Sequence, residues 1–341
     1  MTDIAEGSPL HAECHTYDDY SALLEDYYAR GWTDGLPIVP PTPAAVESFL
    51  GFAGLEPSTV LGAVPTREVA VTAEHAAINA VMAGCRVDYF PVVVAAVRAH
   101  LQDKANCHST TGTLSGAAQI VIVNGPIRQE IDLNCRAGCF GPGWRANATI
   151  GRALRLVIRN VCRAVPNFLD RATFSTPARY AFCFGENEED SPWVPLHVER
   201  GFRAEESTVT VHSAMTVLSA EEMVARTPEG ILDTICTVTR RKGTAGDQWL
   251  GDGTNLVMVI GQEHMRWLTA AGWSKADIRS YLWPRLTEAP RPGERTVKLG
   301  HPEGLLIVAA GGPGMAETWL FFPHLAWAIT EAVLPPATPG G

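Results

Sequence analysis

The chain alternates between two hydrophobic periods, and the alternation predicts helices and strands in turn. Residues 16–30 (TYDDYSALLEDYYAR) carry spaced apolar positions with acidic residues near the start, a helical pattern. Thr42 followed by Pro43 is a helix start, a capping hydroxyl and then a proline whose missing N–H costs nothing; that helix should end near Gly51. Residues 67–72 read as a strand, and Glu74–Met82 and Asp88–Leu101 as helices joined at Ala83-Gly84-Cys85. The short apolar runs Gln119–Val123, Leu256–Ile260 and Leu305–Ala309 have the character of strands buried on both faces. The most regular helix is Asn147–Val161, with Ile150, Leu154, Val157, Ile158 and Val161 on one stripe and Arg152, Arg155 and Arg159 on another face. Strands are expected at 179–185 and 207–212, and a helix from Ala220 capped by Ser219.

Two stretches resemble one another. VAVTAEHAAINAVMAGC from Val69 and VMVIGQEHMRWLTAAGW from Val257 share a strand, a Glu-His pair at a helix start, a helix and an Ala-Gly break. Further on, IVIVNGP answers LLIVAAGGPG, and ATIGRALRL near Thr149 answers AWAITEAVL near Ala328, each expected to be helical. The predicted fold class is α/β: two pseudo-symmetric repeated units from an internal duplication, with a strand-rich central insertion. The expected organisation is a helical and loop segment at 1–66, a first repeat at 67–178, a strand- and loop-rich segment at 179–255, a second repeat at 256–334 and a disordered Pro/Gly-rich tail at 335–341. His75 and His264, at matching positions, are expected to be structural.

Composition narrows the class. Of 341 residues 46% are hydrophobic and 19% charged, enough to build a sizeable core. The formal charge of −10 disfavours nucleic acid and anionic membrane as partners. No apolar run reaches the ~18–20 residues that span a bilayer. The opening MTDIAEGSPLHAEC lacks the basic stretch and apolar core of a secretion signal, so a cytoplasmic setting is expected. There the eight cysteines would be thiols, ligands or core residues rather than a disulfide frame.

GWTDGLPIVPPT, AINAVMAGC, IVNGP, GPGWRANATIGRALRL and ENEEDSPWVPLHVERGF together resemble a bacterial family of no assigned reaction, whose members often accompany, or are fused to, UGSC-type selenoproteins. The resemblance covers most of the chain. It implies kinship, a UGSC-type protein as partner and, by analogy, redox or thiol chemistry. The chain departs from the family at Cys135 and Cys139, where small or polar residues are expected.

Several groups of residues carry chemistry. The turn from Cys139 through Gly141, Gly143 and Arg145 to Asn147 opens a helix. Glycines admit a ligand to backbone N–H groups, the helix start favours an anion, and Arg145, with Arg152 beyond it, forks onto a carboxylate or phosphate. The alternative is a turn and a solvated arginine face. His108, beside Thr110 and Thr111, suits acid–base work or is a structural loop histidine; Asn124 would donate to an oxyanion. Cys85 is either a nucleophile or a core thiol. Cys107, His108, Cys135 and Cys139 have the types of a Zn, Fe or Cu site, and Cys135/Cys139 those of a redox pair. In the acidic loop, Glu186 or Glu188 is a candidate base, Trp193 a wall of the site, and His197 with Glu199 a candidate ligand pair. Neither a Walker A loop nor a dinucleotide fingerprint is present, so the cofactor is left open. The expectation is a cytoplasmic enzyme, able to form homo-oligomers, acting on a small anionic metabolite by acid–base or thiol chemistry: hydrolysis, elimination or redox. The alternatives are a non-catalytic subunit of a UGSC-type partner and a metal-dependent enzyme using the Cys/His cluster.

Overall fold

The computed structural model describes residues 10–244 and 254–335, so nearly all of the expected disordered tail lies outside the described residues. In chain order the elements are α1 (Tyr20–Ala29), α2 (Pro43–Ala53), β1 (Val60–Val64), β2 (Val69–Thr72), α3 (Ala73–Ala83), α4 (Phe90–Leu101), α5 (Cys107–Thr111), β3 (Ala118–Asn124), α6 (Ile127–Glu130), α7 (Arg145–Asn160), β4 (Cys183–Gly185), α8 (Leu196–Glu199), β5 (Thr208–Glu221), α9 (Pro228–Lys242), β6 (Leu256–Ile260), α10 (Gln262–Ala270), α11 (Lys275–Thr287), β7 (Leu305–Ala309), β8 (Glu317–Pro323) and β9 (Ile329–Ala332). Local chemistry sets many boundaries. Thr42 caps α2, which runs past Gly51 and stops at Gly54 in the left-handed region. Thr72 caps α3, and His75 completes the capping box from the third helical position.

The mixed helix-and-strand class is that of the sequence, and the sheet explains it. Its order is β4-β3-β5-β8-β6-β7, with β9 beside β5. β3 and β4 are parallel, as are β6 and β7, while β5 and β8 run antiparallel to their neighbours. The pairing pattern is thus the same read from either edge. β5 is the spine. Its first half lies between β3 and β9, and its second half pairs with β8 after an irregularity near Ala214. The sheet curls until its free edges touch, where the Asn187 N–H donates to the Ala309 carbonyl at 2.7 Å.

Each face of the curled sheet has its own core. Val121 and Val123 of β3 face α2, α3, α4 and α7. Ile120 and Ile122 point inside the curl with Phe184, Val257, Val259, Leu306, Val308 and Phe321. Leu256, Met258 and Ile260 pack outward with residues of α9, α10 and α11. Strands buried on both faces have no polar alternation to show, hence their unbroken apolar runs.

Some expectations are corrected. Ser219 caps no helix; it lies within β5, and the helix begins at Pro228 under a Thr227 cap. β-Branched Thr216 and Val217 favour the extended form, and β8 supplies the ladder partners. AWAITEAVL is not helical: Ile329–Ala332 is β9, drawn out along β5. The strand expected at 179–185 shortens to Cys183–Gly185 after a 3-10 turn at Pro177–Arg179. The matched stretches from Val69 and Val257 occupy different places, the first strand in a separate hairpin with β1 and the second in the main sheet. In the mirrored strand order β3 corresponds to β6, β4 to β7 and β5 to β8. Among the described residues no helix is long and apolar enough to cross a membrane.

Candidate functional site

Where the sheet edges meet, the carboxyl ends of β6 and β7 face the loop that leads into α7, a position at which open α/β sheets bind ligands. A groove of about 320 Å³ lies there, lined by Gly138–Gly141, Gly261, Gly311, Gly312, Met315, Glu317 and Trp319, among others. That volume suits a small metabolite. The buried amide of Asn147 holds the glycine loop in place. It accepts from the Asn134 N–H at 2.9 Å and donates to the carbonyls of Asn134 at 2.9 Å and Cys139 at 3.2 Å. Gly311 donates to the Cys135 carbonyl at 3.0 Å. Gly312 sits so close to Ala137 that a Cβ there would lie 2.6 Å from the Ala137 Cβ. Phe140 anchors the loop among Phe182, Phe184, Trp319 and Phe321.

The charge on the groove's lining is negative. Glu317 is the one charged side chain among the residues lining it. Next to the lining Gly261, α10 begins with Gln262 and Glu263. Glu263 Oε1 accepts from the Gly314 N–H at 2.8 Å, while Glu263 Oε2 and Gln262 Oε1 are enclosed without a hydrogen-bond partner. Buried polar atoms are almost always paired, so these two enclosed acceptors, next to the lining Gly261, are exceptions to that rule. Cys139 in the wall is a neutral thiol, its pKa pushed up to about 12 by burial.

The residues expected to bind an anion are spread out and held by the protein. Arg145 donates to the Gly84 carbonyl at 2.9 Å and the Cys85 carbonyl at 3.4 Å. Arg152 grips both carboxylate oxygens of Asp34 at 2.8 Å and the carbonyls of Leu36 and Pro37. Arg159 and Asn160 bind the carbonyls of Gly31 and Trp32. The GWTDGLP segment and the polar face of α7 are therefore each other's partners, not a solvated arginine face. Arg155 is buried and bonds Gln119 and the Arg179 carbonyl. Gly141 lines the groove, whereas Gly143 has open space around it and takes a φ of 125°.

The expected catalytic residues are not brought together. His108 is exposed, its Nδ1 at 2.8 Å from Thr66 Oγ1. Thr110 and Thr111 are buried and donate to the carbonyls of Asn106 and Cys107. Cys85 is buried, and burial pushes its thiol up to about 12. Glu186 and Asn124 do meet: Asn124 Nδ2 donates to Glu186 at 2.6 Å and to Glu188 at 3.0 Å. Glu186 also accepts from the Leu196 N–H at 2.8 Å and pairs with Lys275 at 3.4 Å. Glu188 and Glu189 pair with buried Arg128. Trp193 belongs to the outer core and donates to the Trp273 carbonyl at 2.9 Å.

Cys107 lies in the first-half core, apart from Cys135 and Cys139, which flank the groove loop; burial pushes the Cys135 thiol up as well. Glu199 is paired with Lys275 and Arg279, and His197 is fully buried. Among the described residues no three His, Cys, Asp or Glu side chains are arranged to hold a metal ion.

A larger cleft of about 1270 Å³ lies beneath residues 10–17, but its buried carboxylate, Glu74, is taken up by the backbone N–H groups of His11 and Ala12. Sequence reasoning missed Glu263, Glu317, Trp319 and Lys275. The signals legible in the sequence were the turn from Cys139 to Gly141, which lines the groove, and the glycines at 311, 312 and 314 that close β7. No family model, no curated protein and no solved structure matched the chain in the comparisons with known proteins.

Proposed function

We propose that the chain is a small-molecule enzyme whose substrate seats in the groove at the ends of β6 and β7 and offers hydrogen-bond donors, hydroxyl or ammonium groups, to it. The observation that carries this reading is the lining itself, with a carboxylate, no cationic side chain and unpaired acceptors alongside. Glu317 is the candidate base, Trp319 and Phe140 offer ring faces to an apolar body or a cation, and the thiol of Cys139, neutral at physiological pH, contributes shape. This keeps the small metabolite and acid–base chemistry expected from the sequence and replaces the anion with a donor-bearing ligand. The cytoplasmic setting and the UGSC-type partner stay with it as proposals. So does the internal duplication, in another form than the match of Val69 with Val257: the mirrored strand order supports β3, β4 and β5 answering β6, β7 and β8.

The test is a melting-shift screen of polyols, amino alcohols and amines against carboxylates and phosphates, followed by calorimetry on the hits. A donor-bearing ligand should bind, with Glu317→Gln weakening it about tenfold or more, roughly 1.4 kcal/mol. Stabilisation by anions alone, abolished by Arg145→Ala and untouched by Glu317→Gln, would restore the anion site at the start of α7.

A further inference from the structure

A second chemical centre lies away from the groove. Cys107 at the start of α5 and Cys162 just beyond α7 lie in one core cluster, their thiols near enough to interact. The Arg67 guanidinium clamps the backbone of both. Its Nη1 donates to the Cys162 carbonyl at 2.6 Å and its Nη2 to the Cys107 carbonyl at 3.5 Å and to Thr111 Oγ1 at 2.8 Å. His100 of α4 stands beside Cys107 and is buried, with neither ring nitrogen hydrogen-bonded; Arg67 Nε is likewise enclosed and unpaired. Two cysteines, a guanidinium and an imidazole thus share one part of the core, where Arg67 Nε and the His100 ring nitrogens have no hydrogen-bond partner.

We propose that Cys107 and Cys162 are an oxidisable dithiol that reacts with a hydroperoxide to form a disulfide. Cys107 attacks first: it is 6% exposed and Cys162 is 0% exposed. The Cys107 sulfur takes the terminal hydroperoxide oxygen as the O–O bond breaks, and the alcohol leaves with the thiol proton, giving a sulfenic acid. The oxygen added at the sulfur supplies an acceptor among the unpaired donors. Cys162 then attacks the Cys107 sulfur, the S–S bond forms, the S–O bond breaks and water leaves. The pair loses two electrons and the hydroperoxide gains them; a dithiol reductant would reverse the change by exchange.

The electrostatics agree in direction. The hydrogen bond from Cys162 holds the Cys107 thiol well below its ordinary value despite burial, with His100 and Arg67 adding to the effect, and the same bond pushes Cys162 up. The thiolate is the attacking form, and the partner that keeps its proton can resolve the sulfenic acid.

The test is peptide mapping by mass spectrometry, without reduction, of the full chain after limiting hydrogen peroxide. A Cys107–Cys162 crosslink should form about tenfold or more faster than oxidation of the exposed Cys14. In Cys162→Ser the reaction should stop at a sulfenic acid on Cys107 that dimedone captures. Oxidation of Cys14 while Cys107 and Cys162 stay thiols in the folded wild-type chain would overturn the proposal, and that outcome needs no variant to fold. Capture of the sulfenic acid on Cys162 in Cys107→Ser, with none on Cys107 in Cys162→Ser, would also overturn it.

Discussion

Two carboxylates lie next to strand ends on opposite sides of the seam, and they are used differently. Glu186 follows β4 and is saturated by Asn124, the Leu196 N–H and Lys275, with 1% of its surface exposed. Glu263 follows β6 at the start of α10; one oxygen takes a loop N–H and the other is left without a partner. A carboxylate whose lone pairs are all spent locks two pieces of structure together. One with an enclosed oxygen left over, as Glu263 has, holds its surroundings less tightly. Burial alone would have ranked Glu186 first as a catalytic base; counting its partners shows it to be structural.

Removal of each carboxylate is the sharpest way to break this contrast. Glu186→Ala should cost about 3–5 kcal/mol in urea unfolding, because it leaves one Asn124 amide hydrogen, the Leu196 N–H and part of the Lys275 charge buried without a partner. Glu263→Gln should cost less than about 1 kcal/mol and act on ligand affinity instead. Equal losses of stability would erase the distinction between the two ends.

An acid scan should show that loss of stability begins in the core, not at the groove. Burial lowers the His212 pKa from 6.5 to about 4. The unfolded chain therefore binds a proton that the folded one refuses, and stability falls as pH drops from about 6.5 towards 4. By pH 4 the loss is on the order of 3 kcal/mol. His212→Gln should flatten that part of the curve, and an unchanged slope would put the acid sensitivity elsewhere.

Gly312→Ala tests the groove wall. The new methyl would meet Ala137 at 2.6 Å, so the 137–141 loop must move, at about 1–3 kcal/mol and with loss of ligand binding. Binding that survives a displaced loop would move the ligand elsewhere. The smallest expected effect is Arg145→Ala. This arginine braces two carbonyls from a solvent-exposed position, so its loss should cost less than about 1 kcal/mol and leave groove binding unchanged.

The sequence by itself determined what depends on near neighbours. Thr42-Pro43 set the start of α2, the apolar stripe of Asn147–Val161 foretold most of α7, and the runs at Gln119, Leu256 and Leu305 marked β3, β6 and β7. Capping, helical period and double-faced burial are written within a few residues of where they act. Tertiary structure decided the rest. Residues 216–221 and 329–332 became strands because β5, β8 and β9 found one another across the chain, overriding the helical punctuation at Ser219 and the helical look of AWAITEAVL. The arginines of α7 were legible as cations but not as partners of GWTDGLP, more than a hundred residues away in the chain. The same holds for the groove, whose walls come from residues 137–141, 259–261 and 310–319. No local pattern records which loops a curled sheet brings face to face, because that follows from how its edges meet once both faces are buried.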